Sequence, residues 1–329
     1  MMRHLLPAAP AALAALLLAT SCGAADGAVN EDGSVDLSQV TLKVGDQIAG
    51  AQPLLEAAGE LDDVPYTLEW STFTSGPPLL EAVHANAVDI GQVGNAPPVF
   101  AAAAGSDISI AAAFDASPDG SSIVVPPKSD LTDPADLNGA TVAVARGSSA
   151  HAHLLGVLKQ EKLAFEDVDV KYLQPADALA AFSEGRVDAW AVWDPYVAQA
   201  EDKADAEILV NAEGYSNTFS FQVANNSALE DPAKAAALED YIERIHRAVV
   251  WSGRNPDEYA EVWAAHSKLP VEVTRVAAER RHPTPRRVDK ELIALEQRLA
   301  DSFAEAGEIP KAPSIADFTD DRFNHLVPK

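Results

Sequence analysis

The chain has 329 residues, 47% of them hydrophobic and 22% charged. That is more apolar material than a disordered tail or a disulfide miniprotein carries, and enough chain for two lobes. Fifty Asp and Glu against 24 Lys and Arg give a formal net charge of −26, which argues against sequence-independent nucleic-acid binding and against adsorption to anionic lipid.

At the amino end, Arg3 and His4 precede Leu5-Leu6 and an Ala/Leu run through Ala19, the charged head and apolar middle of a secretory signal. Pro7 and Pro10 interrupt the run, and it falls short of the ~20 residues that span hydrocarbon, so export is expected and not a permanent membrane span. The run ends Leu18-Ala19-Thr20-Ser21-Cys22-Gly23, resembling a bacterial lipobox, whose Cys is acylated and becomes the new amino terminus. Cys22 is the only cysteine in the chain. An internal disulfide is therefore impossible, and lipidation accounts for the presence of this thiol and for its position. Residues 1–21 are read as a lipoprotein signal peptide and 22–39 as a tether, Gly23 to Leu37 being rich in Gly, Ala and acid. Without the signal, 50 acids face 23 bases, a net −27.

The body of the chain repeats itself once, at an offset of 99: Leu80 matches Leu179, Ala82 matches Ala181, Val88 matches Val187, Asp89 matches Asp188, and Val93 matches Val192. Each copy reads as an amphipathic helix (77–84; 175–182), a polar turn, an apolar strand that starts on Asp (89–93; 188–192), and a Pro where the next element begins. Strand-like runs at 41–45, 109–114, 122–125, 141–145 and 169–173 alternate with helical stretches, which favours parallel sheets covered by helices. From about Asp231 the pattern turns helical, over 235–250, 256–266, 271–280 and 290–306. The fold class is α/β, in two lobes.

In such sheets the ligand crevice forms at the carboxyl ends of strands, where helices begin with unpaired backbone N–H groups. The expected loops are 46–52, 74–77, 94–97 and 146–151, with Trp193-Asp194 as a fifth element. Arg146-Gly147-Ser148-Ser149 closes a strand and opens a helix. Gly permits close approach, Ser offers hydroxyls beside free amides, and Arg146 adds positive charge, a combination suited to a tetrahedral oxyanion. Read plainly, Ser148 is an N-cap and Arg146 a surface charge. Thr74-Ser75-Gly76-Pro77 and Gly94-Asn95-Ala96-Pro97 are further polar helix starts. The negative body does not forbid an anion, because charges beyond roughly 8 Å are largely screened while each charge-assisted hydrogen bond contributes about 1.5–3 kcal/mol. Trp190 and Trp193 face opposite sides of one strand; Trp193, at its end, is expected to wall the cleft and Trp190 to pack in the core. His151 and His153 do not share a helical face, so a zinc pair is not expected. No HExxH, P-loop, GxGxxG or GxSxG occurs, and no catalytic, metal or cofactor residue is assigned. Asp89 and Asp188 are read as structural turn residues.

Four stretches carry a family resemblance: Phe73-Thr-Ser-Gly-Pro-Pro-Leu-Leu-Glu-Ala, Val88-Asp-Ile-Gly-Gln-Val-Gly-Asn-Ala-Pro-Pro-Val-Phe, Val144-Ala-Arg-Gly-Ser-Ser-Ala-His, and Tyr172-Leu-Gln-Pro-Ala-Asp-Ala with Val187-Asp-Ala-Trp-Ala-Val-Trp-Asp-Pro-Tyr196. Over about 41–310 the chain resembles the periplasmic solute-binding proteins of ABC importers for aliphatic sulfonates, a group that includes taurine and nitrate binders. The resemblance implies a two-lobed periplasmic-binding-protein fold (type II) with two crossover segments at the hinge, lobe I from 40–116 and 220–329 and lobe II from 117–219. It implies ligand contacts from Gln47, Ser75, Gly76, Asn95, Ser148, Ser149 and Trp193; Arg146 and Asp194 of the strand-end loops and Thr218 of the return crossover are further candidates. It also implies a monomeric receptor, tethered through Cys22, that hands a small anionic solute to permease subunits. The sequence departs from the family at three places. Asp46-Gln47-Ile48-Ala49-Gly50 stands where Tyr-Gln-Lys-Gly is common, Phe219 stands where many relatives have Gly, and 115–120 is acidic. A neutral, cationic or organosulfur ligand therefore stays open, as do an enzyme on the same fold and a sensor subunit for a membrane kinase.

Overall fold

In the computed structural model, residues 27–48 and 50–327 are described; the signal peptide and Cys22 lie outside them. The chain runs β1 (Thr41–Gln47), α1 (Ala51–Ala57), β2 (Thr67–Phe73), α2 (Gly76–His84), β3 (Ile90–Gly94), α3 (Ala96–Ala103) and β4 (Ile108–Asp115). It then enters a second sheet with β5 (Ser121–Val125), β6 (Thr141–Val144), α4 (Ser149–Gln160), β7 (Asp169–Tyr172), α5 (Pro175–Ser183), β8 (Ala189–Trp193), α6 (Tyr196–Ala204) and β9 (Glu207–Asn211). It returns through β10 (Ser220–Asn225) to α7 (Asn226–Glu230), α8 (Pro232–Ser252), α9 (Pro256–Ser267), α10 (Val271–Arg280), β11 (Thr284–Arg286) and α11 (Lys290–Glu305).

The 99-residue repeat is two copies of one α–β–α unit, α2–β3–α3 and α5–β8–α6. The two aspartates at the repeat positions do the same job in each. Lys43 N–H donates to Asp89 Oδ2 and Thr141 N–H to Asp188 Oδ2, both at 2.8 Å, which sets the start of β3 beside β1 and of β8 beside β6. Asp89 also pairs with Lys234 Nζ at 2.6 Å. Both carboxylates are turn fixtures, as expected.

The sheets are ordered β11-β4-β10-β3-β1-β2 and β7-β6-β8-β5-β9. Parallel sheets were the expectation from the alternating pattern; both are mixed. β10 is antiparallel to β3 and β4, and β5 is antiparallel to β8 and β9. β5 and β10 are the first strands after each passage between sheets, so they start at the cleft where the strands they pair with end; β11, antiparallel to β4, is reversed as well. The cleft is therefore built from the carboxyl ends of β1, β3 and β8 and the amino ends of β5 and β10. β2 carries no apolar run, since its residues are exposed or half-buried along its length, as expected for an edge strand.

Glycines permit two close approaches. A Cβ at Gly91 would come within 2.5 Å of the Leu79 side chain, so α2 can lie flat on its sheet. A Cβ at Gly156 would drive into the carbonyl oxygen of Tyr215, so the return passage can press against α4. Helix α11 buries Leu299, Ala300 and Phe303 against Ala96 and Val99 of α3 and against Ala152 and Leu155 of α4, and so packs on both lobes at once. The tether expected up to residue 39 ends earlier: Ala28 is fully buried, Val35 and Leu37 pack on the same core, and Val29 bridges Val35.

Candidate functional site

Between the two sheets lies a cavity of about 160 Å³. Four helices begin at its wall: α1 through Gly50 and Ala51, α2 through Gly76, α3 through Pro97, and α4 through Ser148 and Ser149. Their donor capacity differs sharply. At α1 the amides of Gly50, Ala51 and Gln52 donate to the Asp46 carboxylate at 2.9, 2.9 and 3.0 Å. That helix start already holds an anion, supplied by the chain, and the Asp that replaces the family's first-loop residue has an internal duty. Burial pushes the Asp46 carboxyl above its usual range, against the pull of the three amides and Arg281. In α2 the two residues after Gly76 are prolines, and in α3 Pro97-Pro98 follow Ala96, whose N–H donates to Asn95 Oδ1 at 2.9 Å. Proline suits the first turn because that N–H has no helical partner, but it removes the donor. The amides with no partner inside their helices at these starts are therefore Gly76 of lobe I and Ser149 and Ala150 of lobe II.

The expected site residues divide into two sets. Gln47, Gly76, Ser148, Ser149, Trp193, Asp194 and Thr218 line the cavity. Ser148 is fully buried; its Oγ donates to the Ala145 carbonyl at 2.7 Å and accepts from His151 N–H, so it positions α4 and leaves Ser149 as the hydroxyl facing the cavity. Gln47 Nε2 donates to the Gln92 carbonyl at 2.7 Å. Thr218 Oγ1 donates to the Ala116 carbonyl, joining the two passages between lobes. Trp193 stands edge-on to Tyr196 at 5.6 Å, while Trp190 is buried in the core.

Ser75, Asn95 and Arg146 do not line the cavity. Ser75 is fully buried and its Oγ donates to Gln174 Oε1 at 2.9 Å. These residues are 99 apart, at the same place in the two repeat copies, and they tie the lobes together behind the wall. Asn95 Nδ2 donates to Asn217 Oδ1 at 2.8 Å and to the Asn217 carbonyl at 2.6 Å, holding the return passage to lobe I. Arg146 corrects the expectation of a cleft cation. Its guanidinium lies over Tyr172 at 5.2 Å and donates to the Glu308 carbonyl at 3.1 Å, on the outer side of α4. Glu308 is 162 residues further along the chain, beyond the reach of local sequence reasoning.

The cleft cation is Arg281, which sequence reasoning missed. It lines the cavity and lies over the Trp263 ring at 5.5 Å. Its neighbour Arg280 pairs across the cleft with Glu201 at 2.8 Å and approaches Asp194 at 3.7 Å. Burial pushes the Asp194 carboxyl up to about 6, opposed by Arg280, by the Ala198 amide and by Arg281. The available signal was an Arg-Arg pair at the end of a helix facing an acidic loop. Phe219, buried under Arg286 at 4.7 Å from its ring, forms part of the cavity wall.

Residues 47–262 match the model of the NMT1-like family. A curated relative, the putative aliphatic sulfonates-binding protein of Escherichia coli K12, is 32% identical over 86% of this chain and 89% of its own length. Among solved structures, the alkanesulfonate-binding protein of Xanthomonas axonopodis pv. citri bound to MOPS superposes with a TM-score of 0.78 at 31% identity, over 85% of this chain and 98% of its own. The periplasmic aliphatic sulphonate-binding protein of Escherichia coli superposes with a TM-score of 0.73 at 33% identity, over 84% and 91%.

Proposed function

The chain belongs to the NMT1-like family, and from that premise we propose that it is the extracytoplasmic substrate-binding component of an ABC importer, which holds an aliphatic sulfonate or a closely related oxyanion between its lobes and delivers it to permease subunits. One observation carries the reading from the chain's own residues. Unpaired amides from opposite lobes, Gly76 on one side and Ser149 on the other, meet at one cavity, with the Ser149 hydroxyl beside them. A tetrahedral oxyanion accepts from donors on several sides, so it stabilises the closed arrangement of the lobes over an open one by the difference in contacts it makes with each. Gly76, Gln47 and Ser149 contact the ligand head, Trp193 walls it, and Ser148, Ser75 and Asn95 hold the frame.

The protein acts alone as a monomer and reaches the membrane through a lipid on Cys22. Binding without turnover is tested by titration calorimetry of the purified protein with a series of linear alkanesulfonates, followed by recovery of the ligand. Saturable heat with unchanged ligand supports the reading. No heat with any member, or a recovered product, overturns it.

A further inference from the structure

Several charged groups of the cleft face a partner within the protein. Asp46 is held by three amides of α1, Arg280 faces Glu201 and Asp194, and Arg281 acts on Asp46 and Asp194. One oxygen of Asp194, Oδ2, is buried without a hydrogen-bond partner, and so are two neutral groups at the wall. The Oγ of Ser121 and both ring nitrogens of His153 are buried without a hydrogen-bond partner, and both residues line the cavity. They share one face of lobe II. Ser121 precedes Ile123 and Val125, which pack against α4, and residues two apart in a strand point the same way. His153 lies four residues beyond Ser149 and so on the same side of α4. A buried polar group without a partner costs about 1–3 kcal/mol, so a ligand that completes these two gains over one that does not.

We infer that the site prefers sulfonates whose tail carries a neutral hydroxyl, received by Ser121 and His153 one helical turn below the amides that hold the head. This rests on the sulfonate reading above. One turn is about 5.4 Å, the span of a short tail. Burial presses the His153 imidazole down to about 4, opposed weakly by the nearby Asn211 backbone, which makes no hydrogen bond of normal geometry with the ring, so near neutral pH the ring offers one N–H and one bare nitrogen, and the Ser hydroxyl both donates and accepts. A second anion would meet Asp46 and Asp194, whereas a hydroxyl matches the two neutral groups of Ser121 and His153. A site that hydrogen-bonds a hydroxyl discriminates strongly against the analogue lacking it, because its own polar groups then stay unpaired.

The test is calorimetry with 2-hydroxyethanesulfonate, its methyl isostere propane-1-sulfonate, and 2-aminoethanesulfonate, on the parent protein and on His153→Phe and Ser121→Ala. The expected result is at least about tenfold tighter binding of the hydroxyl compound than of the isostere in the parent. In either variant that ratio falls toward one while the affinity for propane-1-sulfonate stays within about twofold. If His153→Phe does not fold, as judged by its melting transition, Ser121→Ala carries the test. Equal affinities in the parent, a ratio that survives in the variants, or tightest binding of the ammonium compound overturns the inference while leaving sulfonate binding standing. No binding of any of the three overturns both.

Discussion

A methyl group on Gly94 would collide with Ser149: a Cβ built there falls 2.7 Å from the Ser149 Cβ and 3.0 Å from its Oγ. Gly94 ends β3 in lobe I and Ser149 opens α4 in lobe II, so the bare glycine is what lets the lobes meet at the amides of the site. Gly94→Ala is expected to weaken sulfonate binding by at least about tenfold, the scale of one lost charge-assisted hydrogen bond, with little change in thermal stability. Calorimetry with an alkanesulfonate decides it; unchanged affinity would show that the lobes need not approach this closely.

The two serines at the start of α4 are expected to separate. Ser148→Ala removes an N-cap and lowers stability by about 1 kcal/mol, while Ser149→Ala lowers affinity by about five- to tenfold and leaves the denaturation midpoint in place. Denaturant unfolding and calorimetry on both variants check the assignment, and the reverse pattern would exchange the two roles.

Glu296 is fully buried in α11 and burial pushes its carboxyl up to about 8 from 4.5. Between about pH 4.5 and 8 the folded protein keeps a proton that the unfolded chain releases, so this group's contribution to stability falls as pH rises through that window. Glu296→Gln abolishes the change. The variant should match its parent near pH 4 and exceed it near pH 8 by a few kcal/mol, at about 1.4 kcal/mol per pH unit crossed. His151 and His153, held down to about 3 and 4 by burial, act in the opposite sense, losing stability on acidification below about 6.5, and are common to both proteins. Melting curves across pH read the difference directly; an offset that does not vary with pH would refute the assignment.

Gly156→Ala distinguishes local propensity from tertiary contact by its sign. Helix propensity alone makes Ala more stable than Gly by about 1 kcal/mol. The added Cβ, however, would strike the Tyr215 carbonyl, and overpacking of this kind costs about 1–3 kcal/mol. Net destabilisation in urea is expected, and a stabilised variant would place the return passage away from α4.

Cys22→Ala, expressed in a bacterial host from the full sequence, is expected to move the protein from the membrane fraction to the soluble extracytoplasmic fraction. Retention in the membrane would remove the lipid anchor from the proposal.

The repeat at offset 99 was legible because its signal is local: a strand that starts on Asp between two helices leaves the same period in both copies, and α8 to α11 follow from helical patterning alone. β2 was missed because an edge strand with no buried face lacks an apolar run. The reversal of β5 and β10 depends on how the chain passes between lobes, which periodicity does not encode. At the site, loops ending strands were found correctly as places, but direction was not. Arg146 turns outward to a partner 162 residues away, and Arg281 turns inward from a helix that sequence reasoning treated as scaffold. The proline pairs after Gly76 and Ala96, by contrast, were in plain view and already limited the donors at two of the helix starts.

Phe303 of α11 rests edge-on against Phe100 of lobe I at 4.9 Å and also meets the His151 ring of lobe II at 5.1 Å. A jaw whose rear is seated in this way has few postures available when empty, since any wide gape must unseat an aromatic ring from one side or the other. Less orientational freedom is then surrendered on capture, and a small solute with few atoms to offer can still shut the molecule.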